Sequence, residues 1–220
     1  TNLFASYVLP PILSRFTEKF PAIHIDLVEA STAELTEKLY TGTLDLLIDN
    51  QALDASIYGS EFFCEEHLLL AVPARFPQNE HVRNYALTAS DIRENRHLSS
   101  RIPPVPLKTF EDAPFLLLKS GNDTRTRAEK ICLNSGHFIP KIKLEAEQQI
   151  TAYNLSRYGM GVSFCGDILI HHVPEEESLL FYKLDNQNAS RDVYFYYRRN
   201  RYQPLAVREF LKIVPQTEQK

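Results

Sequence analysis

The sequence predicts an α/β fold built on parallel strands, and three observations predict it. Between Val8 and Asn50 the apolar residues recur at helical spacing, then alternate, then return to helical spacing, and end in a short continuous run. That order is helix, strand, helix, strand, which implies right-handed crossovers and a parallel sheet. The same rhythm resumes between Phe115 and Phe164. Finally, 220 residues with 44% hydrophobic and 24% charged content suffice for a sizeable globular core.

The first helix carries Leu9, Ile12, Leu13, Phe16 and Phe20 on one face. Pro10 and Pro11 are tolerated in its first turn, where the backbone N–H groups have no helical partner, and Pro21 stops it. Ile23, Ile25 and Leu27 alternate with His24 and Asp26, predicting a strand from Ile23 to Val28. Ser31-Thr32-Ala33-Glu34 is a capping box opening a helix with Leu35 and Leu39 inward, and Gly42 ends it. Leu44 to Asp49 is an apolar run suited to a covered parallel strand.

Phe62 to Pro73 returns to a strand. A polar, proline-containing stretch from Phe76 to Pro106 follows, with a short helix expected at Ala89 to Asn95 behind Thr88. The sequence then predicts a strand at Phe115 to Leu118, a loop, and a helix with Ala128, Ile131 and Cys132 on one face that Gly136 closes. Pro140 to Ala146 is a strand with a wet or marginal side, Gln148 to Tyr158 a helix, and Val162 onward a buried strand. Short elements are expected at Asp167 to His172 (helix), Leu179 to Lys183 (strand) and Val193 to Arg198 (strand). Pro204 starts a last helix with the stripe Val207, Phe210, Leu211, Val214, which should return to the first part of the chain.

A net charge of −4 argues against this chain gripping nucleic acid by itself, because phosphate neutralisation needs a basic surface. Cys64, Cys132 and Cys165 are odd in number and far apart, which fits a reducing compartment, and a cytoplasmic location is the expectation. No apolar run reaches the roughly 18 residues of a membrane span, so no membrane partner is expected. A parallel sheet of this kind should have a strand before the first helix, so sequence upstream of Thr1 is expected as well.

Thr1, Val8-Leu9-Pro10-Pro11-Ile12-Leu13, Phe20-Pro21, Ser31-Thr32 and Leu39 to Ile48 with its Gly42 and Leu44-Asp45-Leu46 form an ordered set. That set resembles the start of the effector-binding domain of a LysR-type transcriptional regulator. Tyr158-Gly159-Met160-Gly161-Val162-Ser163-Phe164 resembles the family's second fingerprint, although Cys165-Gly166 stands where the family often has proline. The resemblance implies a two-lobed, periplasmic-binding-protein-like (type II) α/β fold, with two Rossmann-like lobes joined by two crossing strands. The first lobe would hold residues 1–72 and 198–220, the second 73–197. It also implies that a small molecule binds between the lobes, that the chains pair as homodimers or homotetramers, and that DNA is met only through an N-terminal helix-turn-helix outside this chain. No cofactor and no catalysis are implied.

The ligand-binding candidates follow from the convergence that this fold implies. Thr1 and Asn2, Ser31 and Thr32, and Asn122 and Thr124 would sit at helix N-termini, where free N–H groups favour a small anionic or polar molecule. Asn50 lies just past a strand end, Ser120 lies in the loop before the helix of Thr124, and Cys165 and Gly166 follow a buried strand. Each has a plainer reading: Ser and Thr are ordinary helix caps, a free cysteine is commonly a core residue, and Asp123 is a carboxylate that would repel an anion. The seven histidines show no H-x-x-x-H or mixed Cys/His spacing, so no metal is expected. Gly159-x-Gly161 ends a helix and precedes a strand, the reverse of the dinucleotide-binding order. A transporter's solute-binding protein and an enzyme on the same fold are the alternatives.

Overall fold

The computed structural model describes residues 3–175 and 177–214. The helices are α1 (Leu9–Lys19), α2 (Thr32–Thr41), α3 (Gln78–His81), α4 (Ala89–Arg93), α5 (Asp123–Ile131), α6 (Gln149–Arg157), α7 (Asp167–His172) and α8 (Leu205–Ile213). The strands are β1 (Leu47–Asp49), β2 (Tyr58–Pro73), β3 (Pro114–Leu118), β4 (Lys141–Ala146), β5 (Val162–Gly166), β6 (Leu179–Tyr182) and β7 (Ser190–Arg198). The chain divides into two compact units, one of residues 1–65 and 192–220 and one of 66–191, so β2 and β7 each belong to both.

In the first unit a π-helical turn, Phe4–Val8, runs into α1, whose Leu9, Ile12 and Phe16 are buried and whose first turn holds the two prolines. The α2 cap forms as the sequence predicts. Ser31 Oγ accepts from the Glu34 N–H at 3.3 Å, and Glu34 Oε2 accepts from the Ser31 N–H at 3.0 Å. Gly42 closes the helix at φ +77°, a left-handed conformation that a side chain would strain. Leu35 and Leu39 then bury against Leu47, Tyr58 and Tyr196. β1 pairs antiparallel with β7, Leu47 opposite Tyr196 and Asp49 opposite Tyr194. The apolar stripe of α8 returns to this unit: the Phe210 ring lies 5.4 Å from that of Phe16 and 5.8 Å from that of Phe195.

The strand expected from Ile23 to Val28 does not form. Residues 23–30 run without secondary structure, and Leu27 and Val28 stay exposed at 50% and 38%. Alternation specifies a face but not a partner, and a strand exists only through its ladder. β1 is three residues long and is paired antiparallel to β7, so parallel pairing is confined to the second unit among the described residues.

There β3 runs parallel to both β4 and β5. β2 lies antiparallel to β5 (Leu68 opposite Gly166) and to β6 (Leu70 opposite Tyr182). Leu68, Leu70 and Val72 of β2 face a core with Phe110, Phe115, Ile131, Phe164 and Tyr182. α4 forms behind Thr88, which makes a capping box with Asp91. α5 is extended by a π-turn, Cys132–Gly136, and the left-handed residue that ends it is His137 at φ +56°, not Gly136. Gly136 serves close packing instead, since a Cβ there would fall 2.4 Å from the Phe138 ring. β4 is exposed along most of its length: Lys141, Lys143 and Glu145 form the wet side its sequence predicts, and Ile142, on the opposite side, is 43% exposed as well.

Candidate functional site

In the first unit the polar residues after the second predicted strand are engaged locally. Ser31 holds the cap of α2, and the Thr32 hydroxyl donates to Asp49 Oδ2 at 2.9 Å. Asp49 is 1% exposed; its Oδ1 accepts the N–H groups of Asn50 at 2.7 Å and Gln51 at 2.9 Å. A buried carboxylate needs this many donors, so Thr32 ties α2 to the end of β1. The Asn50 side-chain Nδ2 is buried without a partner among the described residues. Thr1 and Asn2 lie outside the described residues.

In the second unit the loop before α5 places Ser120 and Gly121 in solvent, Gly121 at φ +89°. Asn122 Oδ1 accepts from the Thr124 N–H at 2.9 Å and caps α5. Thr124, Arg125 and Arg127 are all buried on the next turn, an unusual polar face. Arg125 is explained by its partners, donating to Leu118 O and Glu145 Oε1, each at 2.8 Å, and to Glu129 Oε1 at 2.6 Å. Arg127 is not so explained. Its Nε donates to Asn188 O at 2.6 Å, while Nη1 and Nη2 are buried without a partner among the described residues. Burial, then the neighbouring Arg191 charge, pulls its pKa down to about 10.

Arg191 donates from Nε to Glu66 Oε2 and from Nη1 to Asp123 Oδ2. Burial works against its charge, but Glu66 and then Asp123 outweigh that and raise its pKa. Asp123 is therefore paired with Arg191, whose single charge it shares with Glu66. Glu66 is fully buried, and its second oxygen, Oε1, has no partner among the described residues. The first and last residues of this unit are thus joined by a buried ion pair.

At the end of β5, Cys165 is fully buried and Gly166 lies against the Glu66 carboxylate. Burial, then the Asp167 charge, pushes the Cys165 thiol well up, and burial pushes that of Cys132 up to about 12. Burial thus favours the protonated, less nucleophilic form of both thiols near neutral pH. The next residue, Asp167, is 6% exposed and receives two imidazoles on one oxygen: His67 Nδ1 stands 3.2 Å and His97 Nε2 3.0 Å from Oδ2. Its Oδ1 accepts the N–H groups of His67 at 3.0 Å and Ile168 at 2.8 Å. Burial opposes the Asp167 charge, yet the bonds from His67 and His97 hold its carboxyl far below the usual carboxylate range.

Glu66, His67, His97, Arg127, Asp167 and Arg191 all escaped the motif reading. The available signal was charge where the pattern demanded apolar residues: Glu66 inside a strand, and Arg127 beside Ala128 on the inward side of α5.

The comparisons agree with this architecture. Residues 1–218 match the LysR substrate binding domain. An uncharacterized HTH-type transcriptional regulator of Bacillus subtilis (strain 168), YcgK, is 25% identical over 207 residues, covering 94% of this chain and 62% of that protein. The chain thus spans about three-fifths of the length of the curated relatives it matches. The BenM effector binding domain with its effector benzoate superposes with a TM-score of 0.69 at 20% identity, covering 96% of this chain and 86% of that one. The effector binding domain of QuiR in complex with shikimate gives a TM-score of 0.68 at 14% identity, covering 96% and 90%. The fold is the periplasmic-binding-protein-like (type II) fold that these domains share, and the chain belongs to the LysR substrate binding domain family.

Proposed function

We propose that this chain senses a small carboxylate or similarly anionic metabolite and that its binding modulates DNA binding and transcription by the whole regulator. The observation that carries the reading is the start of α5, where the unpaired Nη1 and Nη2 of Arg127 lie behind a helix N-terminus capped by Asn122. Two parallel N–H donors match the two oxygens of a carboxylate, and first-turn N–H groups favour the same charge. The effector-bound neighbours hold benzoate and shikimate, both small carboxylates. Sensing rather than catalysis is supported by the Cys132 and Cys165 thiols, which burial keeps protonated. Contact with DNA belongs to a helix-turn-helix outside this chain, and homodimers or homotetramers are the expected assembly.

Calorimetric titration of benzoate, shikimate and a panel of aliphatic mono- and dicarboxylates tests the reading, with Asn122→Ala and Arg127→Gln as variants of checked thermal stability. At least one carboxylate should bind, and at least tenfold more weakly to Arg127→Gln. A panel without binders, or equal affinity in folded Arg127→Gln, overturns it.

A further inference from the structure

We propose that His67, His97 and Asp167 form a binding site for a divalent first-row transition metal of the zinc or nickel kind. The three residues come from the second unit's part of β2, from the 3₁₀ turn Arg96–Leu98 and from the first turn of α7, so no sequence spacing reveals them. One ligand atom from each lies within 4.8 Å of the others. Two edges, His67 Nδ1 to Asp167 Oδ2 at 3.2 Å and His97 Nε2 to the same oxygen at 3.0 Å, resemble those of a metal polyhedron. Ligands about 2.0–2.1 Å from a tetrahedral centre stand roughly 3.3 Å apart. The imidazole rings meet edge-on at 74°, so both direct a nitrogen at the carboxylate without stacking.

Charge supplies the second argument. Asp167 is buried, and a buried carboxylate needs its charge compensated. Arg93, the nearby cation, is turned to the carbonyls of Ile170 and Val173 and to Glu175. A proton or a metal cation must supply the missing charge, and two nitrogens with one carboxylate oxygen are the donor set that zinc, nickel and iron prefer. Oδ1 is already fixed by two backbone N–H groups, which leaves Oδ2 oriented as the ligand. A bound ion would tie β2, the turn of His97 and α7 together, which makes occupancy a second input to this unit.

The proposal does not rest on the carboxylate reading, and its test uses metal alone. The chain, stripped with a chelator and dialysed, is titrated with Zn²⁺ and Ni²⁺ by calorimetry, and Co²⁺ is followed through its visible d–d absorption. One equivalent should bind, with a nitrogen- and oxygen-ligated cobalt spectrum and a rise in melting temperature. His67→Ala removes a partly exposed ligand, and His97→Gln keeps a donor to Asp167 while losing the imidazole. Each should weaken binding at least tenfold, whereas His137→Ala, at an exposed histidine elsewhere, should leave it unchanged. No uptake by the wild type, or equal uptake by folded His67→Ala and His97→Gln, overturns the site and leaves the triad as a hydrogen-bonded brace.

Discussion

The carboxylate of Glu66 occupies the space that a side chain on Gly166 would need: a Cβ there would fall 2.2 Å from Glu66 Oε1. Gly166 sits at φ −74°, where any residue is allowed, so it is present for room and not for backbone freedom. Gly166→Ala should therefore displace a buried carboxylate that is paired with Arg191. We expect a loss of about 1–3 kcal/mol, the usual scale for overpacking. Urea unfolding measures it, and an unchanged midpoint would mean that Glu66 has another place to go.

The Glu66 and Arg191 pair itself gives a sharper test. Glu66 is 0% exposed, and Arg191 is its only charged partner within bonding distance among the described residues. Arg191→Met alone leaves the buried Glu66 charge unmatched and should cost about 3–5 kcal/mol, while in Glu66→Leu alone Arg191 keeps Asp123 as a partner and the loss should be smaller. Replacing both, as Glu66→Leu with Arg191→Met, should recover most of that loss, because two uncharged side chains need no compensation. Strictly additive losses in the double variant would show that each side chain acts independently.

Local devices were legible in the sequence, and long-range ones were not. The capping box at Ser31, the left-handed Gly42 and the stripe of α8 each depend on residues a few positions apart, and each stands as read. The Ile23 to Val28 strand failed because pairing is a relation with a distant segment that alternation does not specify. The site fared likewise. Asn122 caps α5 as expected, yet Thr32 answers to Asp49, seventeen residues on, and Ser31 to its own helix. Asp167 meets histidines 100 and 70 residues away, a separation at which residue type carries no signal.

The α2 boundaries should be separable in their contributions. Ser31→Ala removes the oxygen that accepts the Glu34 N–H and should cost about 1 kcal/mol. Gly42→Ala forces a side chain into φ +77°, about 1–2 kcal/mol, and also meets the Arg201 guanidinium, 1.3 Å from the new Cβ. That guanidinium donates to Thr41 O at 2.9 Å. Denaturant melts of the two variants and their combination test this, and losses that add would show that the two ends of α2 act separately.

Acid should weaken the fold through Asp167. Its folded-state pKa is depressed below its unfolded value, because bonds from His67 and His97 outweigh the burial that opposes its charge. A depressed carboxylate contributes stability that is fully present above the unfolded pKa, near 3.8, and is lost as pH falls below that value toward the folded pKa. Asp167→Asn should cost about 3 kcal/mol at pH 7, where the charged and bonded form dominates, by breaking a buried charged network. The wild type should lose stability steeply below about pH 4, the range in which an unfolded aspartate takes up its proton. The variant should lose less over the same interval, so the two stability curves converge as the pH drops. Urea melts at pH 7, 5, 4 and 3 decide the matter in metal-free buffer. A constant gap between the curves down to pH 3 would show that Asp167 is not the group whose protonation is linked to unfolding.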